Sequence, residues 1–142
     1  NKANETCGNC HSFQVQIYNG NFAGKNQPDI MKAGGAGCID CHITGDKIIK
    51  PDNKICLKCH EAGMETAMDD WKKDVNNLKN DLNTLINKAQ GMNLNEEQKR
   101  EVSDAKKLYN QINPYSSIYV HNYDLISTLI GEKKKKLKEF VK

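Results

Sequence analysis

All six cysteines of this 142-residue chain fall in one repeated pattern. Cys7-Gly-Asn-Cys10-His11, Cys38-Ile-Asp-Cys41-His42 and Cys56-Leu-Lys-Cys59-His60 each set two thiols three positions apart, with an imidazole directly after the second. This is the attachment signature of c-type haem. Two thiols add to the two vinyl groups on one edge of a porphyrin. The two intervening residues let the backbone turn, and the next side chain then reaches the iron as proximal ligand. The candidate attachment residues are therefore Cys7, Cys10, Cys38, Cys41, Cys56 and Cys59, and the candidate proximal ligands are His11, His42 and His60. Three other chemistries use paired cysteines. A structural zinc ion would draw on two such pairs, and three pairs fit that poorly. A redox dithiol has no need of a histidine as the next residue. A disulfide framework rarely repeats one spacing so regularly.

Three covalent haems would also explain a thin composition. Only 37% of residues are hydrophobic, nine are aromatic (three Phe, one Trp, five Tyr), and mean hydropathy is −0.76. Small domains bury a limited share of their surface in any case. Haem faces are therefore expected to supply much of the core, and the chain without haem is expected to be unfolded. The net charge of +3 is modest, and 20 of the 21 basic residues are lysine, with Arg100 alone. Nucleic-acid readers favour arginine for bidentate contacts, so nucleic acid is set aside as a partner. No apolar run approaches the length of a membrane span. No signal-peptide pattern stands at the start, as in a mature chain after cleavage.

The elements that must position these groups divide the chain in two. Residues 1–62 read as an irregular, haem-wrapping segment punctuated by Gly and Pro, as in Asn19-Gly20-Asn21 and Gly34-Gly35-Ala36-Gly37. Only the thirteen residues 43–55 separate motifs two and three. Fully extended they span on the order of 45 Å, and a folded loop far less, so these haems are expected to be neighbours. The 26 residues 12–37 leave haem one freer to sit elsewhere. Residues 63–142 read as helical. Met64, Ala67, Met68, Trp71, Val75, Leu78, Leu82, Leu85, Ile86 and Ala89 form one stripe, with Gly91 as the stop. A capping box of Asn95 and Gln98 opens a second helix, with Val102, Ala105, Leu108 and Ile112 on its apolar face and Asn113-Pro114 at its end. These two helices pair as a hairpin. A third helix starts near Ser116 or Ser117, with His121, Leu125, Ile126, Leu129 and Ile130 on one face. No convincing strand is legible. The fold class is all-α, one structural domain.

His121 is the single histidine outside the motifs. A lone histidine on an apolar helix face is ordinarily a packed core residue. Here three irons lack a distal ligand, and His121 is the only spare imidazole, which makes it the candidate distal ligand. Four histidines less three proximal ones leave one, so at most one haem per chain takes two imidazoles, even if copies exchange ligands. The other two irons take another ligand or stay open. Met31, in the loop between motifs one and two, is the favoured thioether, and Met64 is a second candidate that doubles as core stripe. Met68 and Met92 read as packing. The Asn1 amine and Lys32 remain alternatives. The basic run Lys133–Lys136 with Lys138 reads as a solvated helix end, with docking to an acidic partner or haem propionates as the alternative.

The three motifs, the long helical hairpin and the tail Val120-His121-Asn122-Tyr123-Asp124-Leu125 together resemble bacterial multihaem c-type cytochromes. The likeness is to the group with paired haem motifs that includes the small electron-donating subunit of cytochrome c nitrite reductase, and to filament-forming multihaem cytochromes. In such tails the histidine of a Val-His-Asn segment reaches back to a haem, which implies His121 as a distal ligand. Those proteins usually carry a free histidine between haem motifs, and residues 12–37 hold none. The resemblance implies a periplasmic or extracellular setting, since such haem attachment takes place outside the bacterial cytoplasm. The expected function is electron transfer between three closely spaced haem c groups, with redox proteins as partners and no enzymatic activity. Two alternatives stand beside it. One is a homopolymer that conducts along an extracellular filament. The other is a haem enzyme that reduces a small molecule at an open distal site.

Overall fold

A computed structural model describes residues 2–142, with side chains from residue 5 onward. The chain is all-α. Its helices are α1 (Lys2–Gly8), α2 (Ser12–Asn19), α3 (Ile30–Ala33), α4 (Cys38–His42), α5 (Met64–Gln90), α6 (Glu96–Ile112), α7 (Ile118–His121) and α8 (Tyr123–Lys138), with a 3₁₀ turn at Asn53–Lys58. The N-terminal region is thus more helical than its Gly and Pro content suggested. It also carries one small antiparallel hairpin, β1 (Ile43–Thr44) and β2 (Lys47–Ile48), in which Ile43 pairs with Ile48.

The long helices form for the reasons legible in the sequence. The α6 capping box is closed on both sides: Asn95 Oδ1 accepts from Gln98 N at 2.9 Å, and Gln98 Oε1 accepts from Asn95 N at 3.0 Å. Such caps satisfy backbone N–H groups that the first turn leaves unpaired. Gly91 ends α5 without a left-handed turn, at φ −87°. The expected C-terminal helix is broken in two at Asn122, whose φ of −171° and ψ of 82° are not helical.

Helices α5, α6 and α8 pack on one another. The buried apolar cluster they form runs from Val75 to Val141, joined from the N-terminal region by the buried Ile17 and Phe22, with Phe13 packed against it. Protein side chains form this part of the core, whatever haem would add at the motifs. The apolar residues at helical spacing between 75 and 141 are enough to bury one another. Surface pairs stitch the basic end of α8 into this bundle: Lys134 meets Asp81 at 2.6 Å, and Lys136 meets Glu101 at 2.7 Å. The lysine run is therefore partly internal wiring, though exposed pairs contribute little stability each.

The stripe of α5 is not buried along its whole length. Protein covers it only from Val75 onward, whereas Met64 is exposed and Ala67, Met68 and Trp71 are half-buried. Met64 is therefore not a core residue, and Met92 is exposed too. The first turns of α5 pack against the 3₁₀ turn that carries Cys56.

Candidate haem-binding site

Each motif folds into the same single turn. The Cys7 carbonyl accepts from His11 N at 2.9 Å, and the Cys56 carbonyl accepts from His60 N at 2.9 Å. Cys38–His42 is α4 itself. In such a turn, positions i, i+3 and i+4 lie on one face, so two thiols and one imidazole point the same way. Gly37 starts α4, where its N–H donates to Asp40 Oδ2 at 2.6 Å. Among the described residues no cysteine is disulfide-bonded, and no three His, Cys, Asp or Glu side chains converge as an ion cluster.

Motif two touches both of the others. Helix α1, with Cys7, packs against α4. Burial pushes the Cys38 thiol upward in pKa, and the neighbouring Cys7 thiol adds to the shift. Burial likewise raises Cys41, followed by the charges of Cys56, Asp40 and Cys59. Lys58, between the two thiols of motif three, reaches Ile43 O and Thr44 Oγ1 at 3.4 Å each. The expected closeness of motifs two and three is present. Motif one, expected to be freer, is also held close, because the connector 12–37 folds back on itself. Tyr18 Oη donates to Ala36 O at 2.6 Å, and Asp29 N donates to Tyr18 O at 3.1 Å. Gly20 makes the reversal at φ +79°, and a Cβ there would lie 2.0 Å from the Gln27 carbonyl carbon. Only glycine satisfies both the left-handed conformation and that approach.

His121 lies over motif two. Its ring centre is 6.3 Å from that of His42, with the planes 10° apart. Two imidazoles on opposite sides of one metal ion have ring centres about 6 Å apart, given about 2 Å for each metal–nitrogen bond. His42 Nδ1 lies 3.2 Å from the Ile49 carbonyl, beyond the hairpin. That bond makes Nδ1 the protonated nitrogen and leaves Nε2 as the lone-pair donor, the arrangement typical of metal-bound histidine. Burial holds the His121 pKa below the ordinary histidine value. His42 and His11 push it the same way, and the Ser117 backbone partly offsets them. A neutral imidazole is the form that can ligate a metal.

His11 and His60 are exposed, and among the described residues no second imidazole ring faces either one. Met31 is half-buried in α3, whose N-terminus is capped by the buried Asp29. Asn1 lies outside the described residues. The surface around motifs two and three is apolar. Within these motifs or beside them in sequence, Ile39, Ile43, Ile48, Leu57 and Met64 are all exposed, Ile48 to 85%. A small protein rarely gathers so many large apolar side chains in one exposed region without something to cover them. Their number and their position beside the thiols fit porphyrin plates. A cleft of about 630 Å³ lies elsewhere: Phe13, Phe22, Lys107, Tyr115 and Lys133 line it with others, and no motif residue does.

Two groups at this site carry no signal in the motif spacing. The Ile49 carbonyl is one. The other is Asn122, 1% exposed, which joins His121 to the connector and to α8. An Asn directly before a helix is a legible cap signal. Its long-range bonds are not legible in one sequence. Tyr123 completes the junction. Its hydroxyl donates to Asp74 Oδ2 at 2.5 Å, and its ring stacks on Trp71 at 5.7 Å.

No protein-family model matches this chain, and neither a curated relative nor a solved structure does.

Proposed function

We propose that this chain is a triheme c-type cytochrome that passes electrons between closely spaced haems, in the periplasm or outside the cell. The observation that carries the reading is the near-parallel pair His42 and His121, 6.3 Å apart, with one member ending a Cys-x-x-Cys-His turn. When bound, the haem iron supplies a one-electron couple whose potential the protein tunes through axial ligands and burial. The residues supply everything else. Cys7, Cys10, Cys38, Cys41, Cys56 and Cys59 fix the porphyrins covalently. His11, His42 and His60 would each hold one iron, and His121 would share the iron of His42. The contacts of motif two with both other motifs keep the three groups close enough for direct exchange. The half-covered face of α5 and the exposed isoleucines shield apolar porphyrin from water.

A second reading, the subunit of a conducting homopolymer, draws on the exposure of His11 and His60 on the two motifs that flank motif two. Electron microscopy of native material separates it from a monomeric carrier.

The test is expression in a host with c-type haem maturation, followed by mass spectrometry and a pyridine haemochrome assay. Three covalent haems per chain are expected. Cysteines that stay unmodified in such a host would overturn the reading.

A further inference from the structure

We propose that Asn122 is the positioning residue for the His121 imidazole, and that one amide thereby sets the register between the motif-one connector and the distal side of motif two. The inference rests on the haem reading above. Asn122 lies between α7 and α8 with its side chain sealed from solvent. Its Oδ1 accepts from Leu125 N at 3.0 Å and so caps α8. Its Nδ2 donates to Ile17 O at 3.0 Å and to Gln27 O at 2.7 Å. An asparagine amide offers two donors and an acceptor oxygen, so both donors are used and the oxygen is engaged.

The partners explain what the bonds accomplish. Ile17 belongs to α2, the helix whose N-cap is His11 of motif one. Gln27 is the far side of the Gly20 reversal, where its N–H donates to Gly20 O at 3.1 Å. The amide therefore clamps both legs of the connector to the residue that follows His121. On the other side of the junction, Asn122 N reaches Ile118 O at 3.4 Å, and Tyr123 is anchored on Asp74. With the backbone fixed on both sides, peptide geometry aims the imidazole at His42, and the Ser117 backbone is the polar neighbour of its ring. This matters because His121 Nδ1 is buried and lacks a well-formed hydrogen bond.

No other side chain reproduces the set. An aspartate at 122 can still accept from Leu125 N, but it turns oxygens toward two carbonyls. A serine can cap α8 but cannot bridge both legs. A buried donor–acceptor set broken in this way costs more than its net worth when intact.

The experiment uses haem-loaded protein and electron paramagnetic resonance of the oxidised state. Asn122→Asp and Asn122→Ser are compared with wild type and with Asn95→Ala, which removes the α6 cap far from any motif. Both Asn122 variants are expected to keep three covalent haems and to lose the low-spin signal of the bis-imidazole iron. Added free imidazole should restore that signal. Asn95→Ala should lower the unfolding temperature without changing the signal. Retention of the wild-type signal in Asn122→Ser, which introduces no charge, would overturn the proposal while leaving the cytochrome reading intact. Loss that imidazole does not rescue would overturn it as well, by pointing to general damage. Absence of haem from the wild-type chain would overturn both.

Discussion

Removing the His121 ring is the most direct probe of the site, and its size can be worked out beforehand. The chain holds four histidines, of which three are committed to the motifs, and the fourth faces His42 at 6.3 Å. One iron in three can therefore have two imidazole ligands. In oxidised wild-type protein, the bis-imidazole low-spin signal should integrate to one spin per three haems. The planes lie only 10° apart, so both rings donate into the same iron orbital and separate it in energy from its partner. That predicts a rhombic line shape, unlike the strongly anisotropic signal of crossed rings. His121→Ala should abolish this component, leave three covalent haems, and produce a high-spin signal of equal intensity. Free imidazole should reverse the change. Spin quantitation against total haem iron is the assay. A wild-type signal well above one spin per three haems would refute the ligand count. An unchanged signal in the variant would refute the placement of His121 over motif two.

The same asymmetry predicts an order of reduction. Two imidazoles stabilise the oxidised iron more than imidazole with thioether, so the bis-imidazole signal should be the last to disappear in a potentiometric titration. Gly20→Ala should destabilise the chain by about 3 kcal/mol or more, because left-handed strain adds to a collision with the Gln27 backbone, and chemical denaturation reads it. Lys79, buried on α5, has no carboxylate partner among the described residues, and burial lowers its pKa from 10.5. The folded state thus holds its proton less tightly than the unfolded one. The penalty is full below the lowered pKa and gone above the unfolded value. Lys79→Met should therefore raise the unfolding temperature at pH 7, with a margin that shrinks as pH climbs toward 10.5. Finally, haem-free chain should keep much of its far-ultraviolet helical signal, since the cluster from Val75 to Val141 closes without a cofactor. A random-coil spectrum would show that haem is needed for the bundle after all.

How far the sequence could be read depends on the range of the interactions. The α6 cap is a contact between residues three apart, and both of its bonds stand where Asn95 and Gln98 placed them. The stripe of α5 repeats a single period, and the helix runs from Met64 to Gln90 as that period requires. The Cys-x-x-Cys-His turns are equally local: each is five residues closed by backbone hydrogen bonds within them. By contrast, the break at Asn122 was hidden, because an unbroken apolar period runs through it from His121 to Ile130. What stops the helix there is a set of bonds to Ile17 and Gln27, about a hundred positions away in the chain. The closeness of motif one to motif two was hidden for the same reason. A 26-residue connector has length enough to go anywhere, and long-range contacts decide where it goes, among them those of Tyr18, Gly20, Asn122 and the buried Ile17 and Phe22. The partner of His121 was hidden too, since counting histidines shows that one imidazole is spare but not which iron it can reach. In the fold, His42 stands beneath the α7–α8 junction, with its ring centre 6.3 Å from that of His121. On the proposed haem reading, the ligand shortage would fall on the outer two motifs, whose His11 and His60 are exposed. That is where an exogenous ligand, a methionine such as Met31, or a second copy of the chain has room to act.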